Sequence, residues 1–202
     1  MGKAGLQRAS LVLRMETQLA HRRIEDAMDA WQPDRDLARY GLHLTRLAKA
    51  IPRLEAALQR ALQGFAPALG DQIAWRSTAL AADLRDLGLG ALPCNTAPAG
   101  GPDLSYRSLP EVLGSLYVLE GSKLGAAVLR RRFTKGLGLT PPSACRFYGD
   151  AEHCAGRLSW PQFQSLLDTQ LCLQSSRTQA AARARETFAW LQQQLFPAAE
   201  RP

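Results

Sequence analysis

LYVLEGSKLGAAVLRRRFTK, residues 116–135, is the stretch on which the reading of this chain turns. Ahead of it, Ser108-Leu109-Pro110-Glu111 carries a helix-start signal. Ser108 and Glu111 have capping-box spacing, and Pro110 sits in a first turn whose amides have no intrahelical partner. Gly136, Gly138 and the Pro141-Pro142 pair supply the stop, so one uninterrupted helix is predicted from Ser108 to Gly136. Inside it Gly114, Gly121 and Gly125 are spaced seven and four apart, which at roughly 100° per residue puts all three on one narrow face. An interior glycine costs about 0.5–1 kcal/mol relative to alanine, so an aligned set implies that something large approaches the backbone. A close-packed helix is one such object and a flat ligand is the other. Ser122 beside the glycines, and the cations Arg130, Arg131 and Arg132 one to two turns later, suit a flat anionic ligand better.

The remaining segments are read as helices or loops. Residues 1–5 form a loose tail. From 6 to 31, Leu13, Ala20, Ile24, Ala27 and Trp31 recur at helical spacing, and Pro33 ends the run. Asp34 or Asp36 caps a second helix reaching Leu62, kinked at Pro52. Residues 64–70 read as a turn, and a third helix runs from Asp71 to Leu87. Glycines and prolines make 88–107 a long loop, and 140–158 is a second irregular stretch. Ser159-Trp160-Pro161-Gln162 repeats the capping device and opens a helix to Gln174, and a last helix carries Ala181, Ala184, Phe188, Leu191 and Leu195. No segment alternates as a half-buried strand does. The fold class is all-α, and 202 residues with 46% hydrophobic content suit a single domain.

A net charge of +7 permits an anionic small molecule or an acidic partner as readily as nucleic acid. The arginines are dispersed and no nucleic-acid signature is present, so no nucleic-acid partner is expected. Charges interrupt the apolar runs, so neither a membrane span nor a secretory signal is expected, and the location is read as cytoplasmic. Cys94, Cys145, Cys154 and Cys172 lack metal-ligand spacing and are read as free thiols.

Three histidines can be weighed individually. His21 lies at the edge of the first helix's stripe, with Thr17 one turn before and Glu25 one turn after. The i, i+4 relation lets Glu25 accept a hydrogen bond from one ring nitrogen and leaves the other free as a ligand. A packed or solvated histidine is the alternative. His43, with Arg46 and Lys49 nearby, reads as packing or surface, and His153 beside Cys154 is an isolated loop pair.

Together, Thr17-x3-His21-x3-Glu25 and Leu116-Tyr117-Val118-Leu119-Glu120-Gly121-Ser122-Lys123-Leu124-Gly125-Ala126 resemble the proximal and distal helices of the haem oxygenase family, in its bacterial, biliverdin-producing branch. The likeness extends through Leu80-Ala81-Ala82-Asp83-Leu84 and the region of Phe188. It implies an all-α, haem-oxygenase-like domain that holds haem between a proximal and a distal helix. By the same resemblance His21 is the iron ligand, Glu25 its hydrogen-bond partner, and Thr17 a neighbour of the cofactor. Gly121, Ser122 and Gly125 border the oxygen side, and Arg14 with one of Arg130, Arg131 or Arg132 meets the propionates. Lys123 departs from a commonly neutral polar position. Gln164 and Asp168 stand where animal members have basic contacts.

The implied reaction uses haem as both cofactor and substrate, with O2 and external electrons, and gives biliverdin, carbon monoxide and ferrous iron. Ordered water supplies the protons. A reductase or ferredoxin is the expected electron donor and a bilin-accepting phytochrome a possible partner; no bound flavin or nicotinamide is expected, because no glycine fingerprint for nucleotide binding is present. A haem carrier of the same fold, or a haem-free helical interaction protein, are the readings that haemin binding and turnover would separate.

Overall fold

The computed structural model describes residues 8–90, 104–140, 143–149 and 157–197. Among them the elements are helical throughout: α1 (Ala9–Trp31), α2 (Leu37–Phe65), α3 (Pro67–Gly70), α4 (Ser77–Asp86), α5 (Leu109–Gly121), α6 (Ala126–Leu137), α7 (Arg146–Gly149), α8 (Trp160–Gln170) and α9 (Gln174–Leu195). Cys94, His153 and Cys154 lie outside the described residues; Cys145 is buried and Cys172 exposed, both as free thiols.

Helix α9 is the axis on which α1 and α5 both pack. Its inner face is built from Ala180, Ala181, Ala184, Thr187 and Leu191, small near the start and larger toward the end. The small residues let α5 approach until Gly114 lies against backbone. A Cβ at Gly114 would stand 2.2 Å from the Ala180 carbonyl oxygen. One turn on, the Ser115 and Thr187 hydroxyls meet at 2.8 Å, so the buried polar atoms of this contact satisfy each other. Helix α1 is tied down by the fully buried Leu13 and by an Arg185–Glu16 ion pair. Its first turn is capped from another helix: Asp168 of α8 accepts a hydrogen bond from the Ser10 amide at 2.9 Å.

Several helix ends differ from the sequence expectation. Asp36 caps α2, accepting from the Arg39 amide at 2.7 Å, and the helix continues through Pro52 to Phe65. Residues 67–70 form a short helix rather than an open turn. The third long helix begins at Ser77, not Asp71. The buried carboxylate of Glu55 in α2 accepts from the Arg76 amide at 2.8 Å and the Ser77 amide at 3.1 Å, which supplies a cap from outside the segment. The capping box at Ser108 does not form; Glu111 accepts instead from the Arg107 amide at 2.8 Å and pairs with Arg183. At Ser159 the Gln162 side chain does accept from the Ser159 amide at 2.8 Å.

The largest difference concerns the long glycine helix, which is two helices. At residues 122–125 the i→i+4 ladder gives way to shorter-range bonds, from Lys123 to Glu120, Leu124 to Gly121 and Ala126 to Lys123, each 3.1 Å. Ser122 and Gly125 keep right-handed helical angles, so the break tightens the backbone without reversing it. The combined path Leu109–Leu137 is long and apolar enough to cross a membrane, yet half of its most apolar window is buried within the protein and every residue from Val112 to Glu120 is buried. That apolarity is core.

A second packed region joins α2, α4, α6 and α7. Asp83 accepts from the Arg146 and Phe147 amides at 2.8 Å each, and Asp86 from the Ala144 amide at 2.8 Å, which pins the α7 loop to α4. Tyr40 donates to the Ala144 carbonyl at 2.7 Å. His43 is wholly enclosed, its Nε2 meeting the Tyr148 hydroxyl beside Phe133. Burial, with Arg46 adding repulsion, drives its pKa down from 6.5 to about 3, so the ring is neutral at physiological pH.

Two outcomes are expected from this packing. Gly114→Ala forces backbone apart and lowers stability by about 3 kcal/mol, at the severe end of overpacking. Gly125→Ala, in helical backbone with nothing within 4 Å of the new methyl, raises the stability of the haem-free protein by about 0.4–1 kcal/mol, because only the unfolded chain loses freedom. Urea unfolding of the two variants checks both. His43 binds its proton more weakly folded than unfolded, so stability falls as pH drops from 6.5 toward 3, by up to about 1.4 kcal/mol per unit from this group. His43→Gln, which keeps a hydrogen-bonding side chain, flattens that part of the curve in urea midpoints compared between pH 6.5 and 4.5.

Candidate functional site

Helix α1 and the α5–α6 path pack mainly on α9 and join each other at two ends. At one end Tyr117 of α5 faces Thr17 and Arg14 of α1. Burial raises the phenol's pKa, while the Thr17 hydroxyl and the Arg14 charge pull it back. At the other end Arg132 of α6 reaches Asp29 at 2.7 Å and Asp34 at 3.2 Å. There Gly136 rests on the α1–α2 turn, so closely that a Cβ would stand 2.4 Å from the Asp34 carbonyl oxygen. Between these ends the chain takes twelve steps along α1, from Thr17 to Asp29, and fifteen along the facing path, from Tyr117 to Arg132. At a rise of about 1.5 Å per residue those are roughly 18 and 22 Å. Between these ends the two walls leave His21, Leu124, Gly125 and Val128 open to solvent, and this open stretch forms the slot.

His21 is centred on the α1 wall. The helical i, i+4 relation brings the Glu25 carboxylate 3.3 Å from its Nδ1, and the pair is 54% and 59% exposed. Phe188 of α9 meets the imidazole edge-on at 5.8 Å between centroids, which limits ring rotation. The Glu25 carboxylate is placed to accept a hydrogen bond from Nδ1, and Nε2 is the ring nitrogen turned away from it.

The opposite wall is short of side chains where it passes the slot. Gly125 has nothing within 4 Å of its Cβ position, and Gly121 is met only by the Trp160 ring at 3.6 Å. Leu124 and Val128, on the same face, are 57% and 61% exposed. Tyr117, Trp160 and Phe163 form a chain of ring contacts at 5.6 and 5.9 Å that closes the end of the slot nearest Gly121. The three aligned glycines therefore serve different purposes. Gly114 packs a helix, as the alternative reading held, Gly121 lies against the Trp160 ring, and Gly125 borders open space.

The polar residues separate in the same way. Ser122 is exposed at the break; its Oγ donates to the Leu119 carbonyl at 2.7 Å and accepts from Arg76 at 2.7 Å. Thr17 donates to the Leu13 carbonyl, also at 2.7 Å, and is buried. Of the arginine triplet, Arg132 is committed to the two aspartates, which makes it a fastening between α6 and α1 rather than a cation for a ligand. Arg130 lies against Gly149, with Nη1 3.1 Å from where a Cβ there would be. Arg131 is exposed, as is Arg14 at the far end. Lys123 forms a largely buried ion pair with Glu120 at 2.5 Å, so its charge is met within the break. Asp168, one of the two C-terminal departures, caps α1.

The sequence reading missed Trp160, Phe188 and Arg76 as neighbours of the site. Trp160 was legible as a helix start, Phe188 as a core position, and Arg76 not at all, since nothing in a loop arginine announces which hydroxyl it reaches. Among the described residues no cluster of three or more His, Cys, Asp or Glu could hold a bare metal ion. The slot instead has one exposed imidazole on α1 and open backbone at Gly125 on the other wall, with Arg14 and Arg131 exposed on the same two walls. That donor set fits a flat, anionic macrocycle carrying its own metal: one axial nitrogen, apolar walls and guanidinium groups for acidic substituents.

Comparison with known proteins agrees with this fold. The fold matches the heme oxygenase of Neisseria meningitidis, solved with NO and CO bound, at a TM-score of 0.73 and 23% identity over 96% of each chain. It also matches the heme oxygenase of Leptospira interrogans at a TM-score of 0.71 and 18% identity, over 94% of this chain and 98% of that one. No curated protein matches the chain in sequence. Residues 7–196 match the heme oxygenase family throughout, and the chain belongs to that family of haem-cleaving enzymes.

Proposed function

We propose that haem lies in the slot between α1 and the α5–α6 path, and that this chain opens it to biliverdin with release of carbon monoxide and ferrous iron. The observation that carries the reading is the exposed His21–Glu25 pair on α1 together with open, side-chain-free backbone at Gly125 on the α5–α6 path. Haem, when bound, supplies both the iron that activates O2 and the ring that is opened.

Each chain residue then has a positional task. His21 ligates iron through Nε2, while Glu25 holds the Nδ1 proton and strengthens the imidazole as a donor. Gly121 and Gly125 keep side chains out of the oxygen side and let the backbone approach the ring. Ser122 places a hydroxyl at that edge. Leu124, Val128 and Trp160 exclude bulk water from the macrocycle's faces. Arg14, beside Tyr117, and Arg131 are the cations placed to meet propionates, with Arg130 behind them; a guanidinium matches a carboxylate in shape as well as charge. Thr17 sets the height of the Tyr117 end. Protons come from water held by backbone and hydroxyl groups, so a dedicated side-chain acid is not required. Electrons come from a separate reductase or ferredoxin. The product could pass to a bilin-accepting phytochrome, and the whole sequence acts as one cytoplasmic domain without bound flavin or nicotinamide.

Haemin titration of the wild type is expected to give a Soret band that loses its nitrogen-ligated form in His21→Ala. Glu25→Gln is expected to weaken haem affinity about tenfold, the lower end of what loss of a ligand's supporting hydrogen bond costs. Ascorbate or a ferredoxin system in air should then convert the wild-type complex to biliverdin, identified by chromatography. A stable His21-ligated haem that survives reductant would indicate a carrier, and absence of any Soret shift would overturn the haem reading.

A further inference from the structure

The break at residues 122–125 is held from outside the two helices it separates. Ser122 Oγ already bonds back to the Leu119 carbonyl, and its second partner is Nη2 of Arg76, 46 residues earlier in the chain, at 2.7 Å. Arg76 is 4% exposed although Ser122 is exposed. Two contacts fix the arginine, and a third fixes the ring it rests on. Its amide is bound by the Glu55 carboxylate, its guanidinium lies over the Phe147 ring at 4.4 Å to the centroid, and Phe147 is itself held through its amide by Asp83. A guanidinium is costly to bury, and this one delivers a charge-assisted hydrogen bond to the first residue of the break.

We propose that Arg76 is a positioning residue for the oxygen side of the haem site: through Ser122 Oγ it selects the broken form of the α5–α6 path and so sets where Gly121 and Gly125 stand over the ring. The inference rests on the haem reading above. The local sequence from Leu109 to Leu137 is helical throughout in pattern, and both Ser122 and Gly125 have helical angles, so a continuous helix is the competing state. The break's own bonds are the three short-range ones at Lys123, Leu124 and Ala126, which are weaker in geometry than an α ladder. The hydrogen bond from Arg76 adds what they lack.

Amide hydrogen exchange on the haem-free, full-length protein tests the strut without any ligand. Ser122→Ala, at an exposed position, and Arg76→Met are each expected to slow exchange at Lys123, Leu124 and Ala126 by about tenfold, because losing the hydrogen bond to a charged group releases the path toward the continuous helix, whose ladder protects those amides better. The double variant should do no more than either single one, and Arg76→Lys should return exchange part of the way to the wild-type rate. Unchanged exchange at these amides in Ser122→Ala, or additive effects in the double variant, would overturn the strut. With haemin bound, the same variants are expected to shift the distribution of biliverdin isomers and the pH midpoint of the ferric spectrum; an unaltered isomer distribution and midpoint would overturn the positioning role. Failure of the wild type to take haemin through His21 would remove the functional reading alone, because the exchange measurement still decides whether Arg76 holds the break.

Discussion

Everything in this molecule follows from the contact between Gly114 and the backbone of Ala180. Two helices that meet without a side chain between them have their separation set by backbone radii, and here a single methyl would land 2.2 Å from a carbonyl oxygen. That contact fixes α5 on α9. Helix α1 is fixed on the same α9, with Leu13 buried and Glu16 paired to Arg185, so the distance between α1 and α5 is determined by a third element together with the Tyr117–Thr17 contact at one end. A space between two helices persists in water only when something else holds them apart. Helix α9 does so here, and the edge of Phe188 reaches from it to the imidazole at the slot's centre.

How much of this could be read from the chain depends on whether the cause was local. Helical periodicity, proline and glycine stops, and the Asp36 cap are local, and they appear where the sequence placed them. The i, i+4 relation of His21 and Glu25 is local too, and the 3.3 Å contact follows from helix geometry alone. Effects that cross the fold were not legible. Glu55 sets the start of α4 at Ser77, six residues beyond Asp71, because its carboxylate accepts from the Arg76 and Ser77 amides and so caps the helix there. Glu111 had the spacing to cap Ser108, but Arg183 and the Arg107 amide compete for the same carboxylate.

The glycines show the same limit most clearly. Their spacing correctly placed Gly114, Gly121 and Gly125 on one face of an ideal helix, yet spacing says nothing of what lies opposite each. The face meets α9 at Gly114, the Trp160 ring at Gly121 and open space at Gly125. The arginine triplet divides likewise: consecutive residues on a helix point roughly 100° apart, so no single ligand could engage all three. Arg132 turns to Asp29 and Asp34, Arg130 to the α7 loop, and Arg131 to solvent.

Charge placement and the break in the distal wall belong to one design constraint. A uniform helix resists a local change of course because every residue carries a hydrogen bond. Placing glycines on either side of a serine makes one point weak, and the ladder gives way there. The Arg132 fastening holds one end of the wall, the Tyr117–Thr17 contact holds the other, and the open backbone at Gly125 lies between them. The apolar Leu124 and Val128 stand exposed beside the break, so the fastening arginine borders the site from the far end of the wall that carries them.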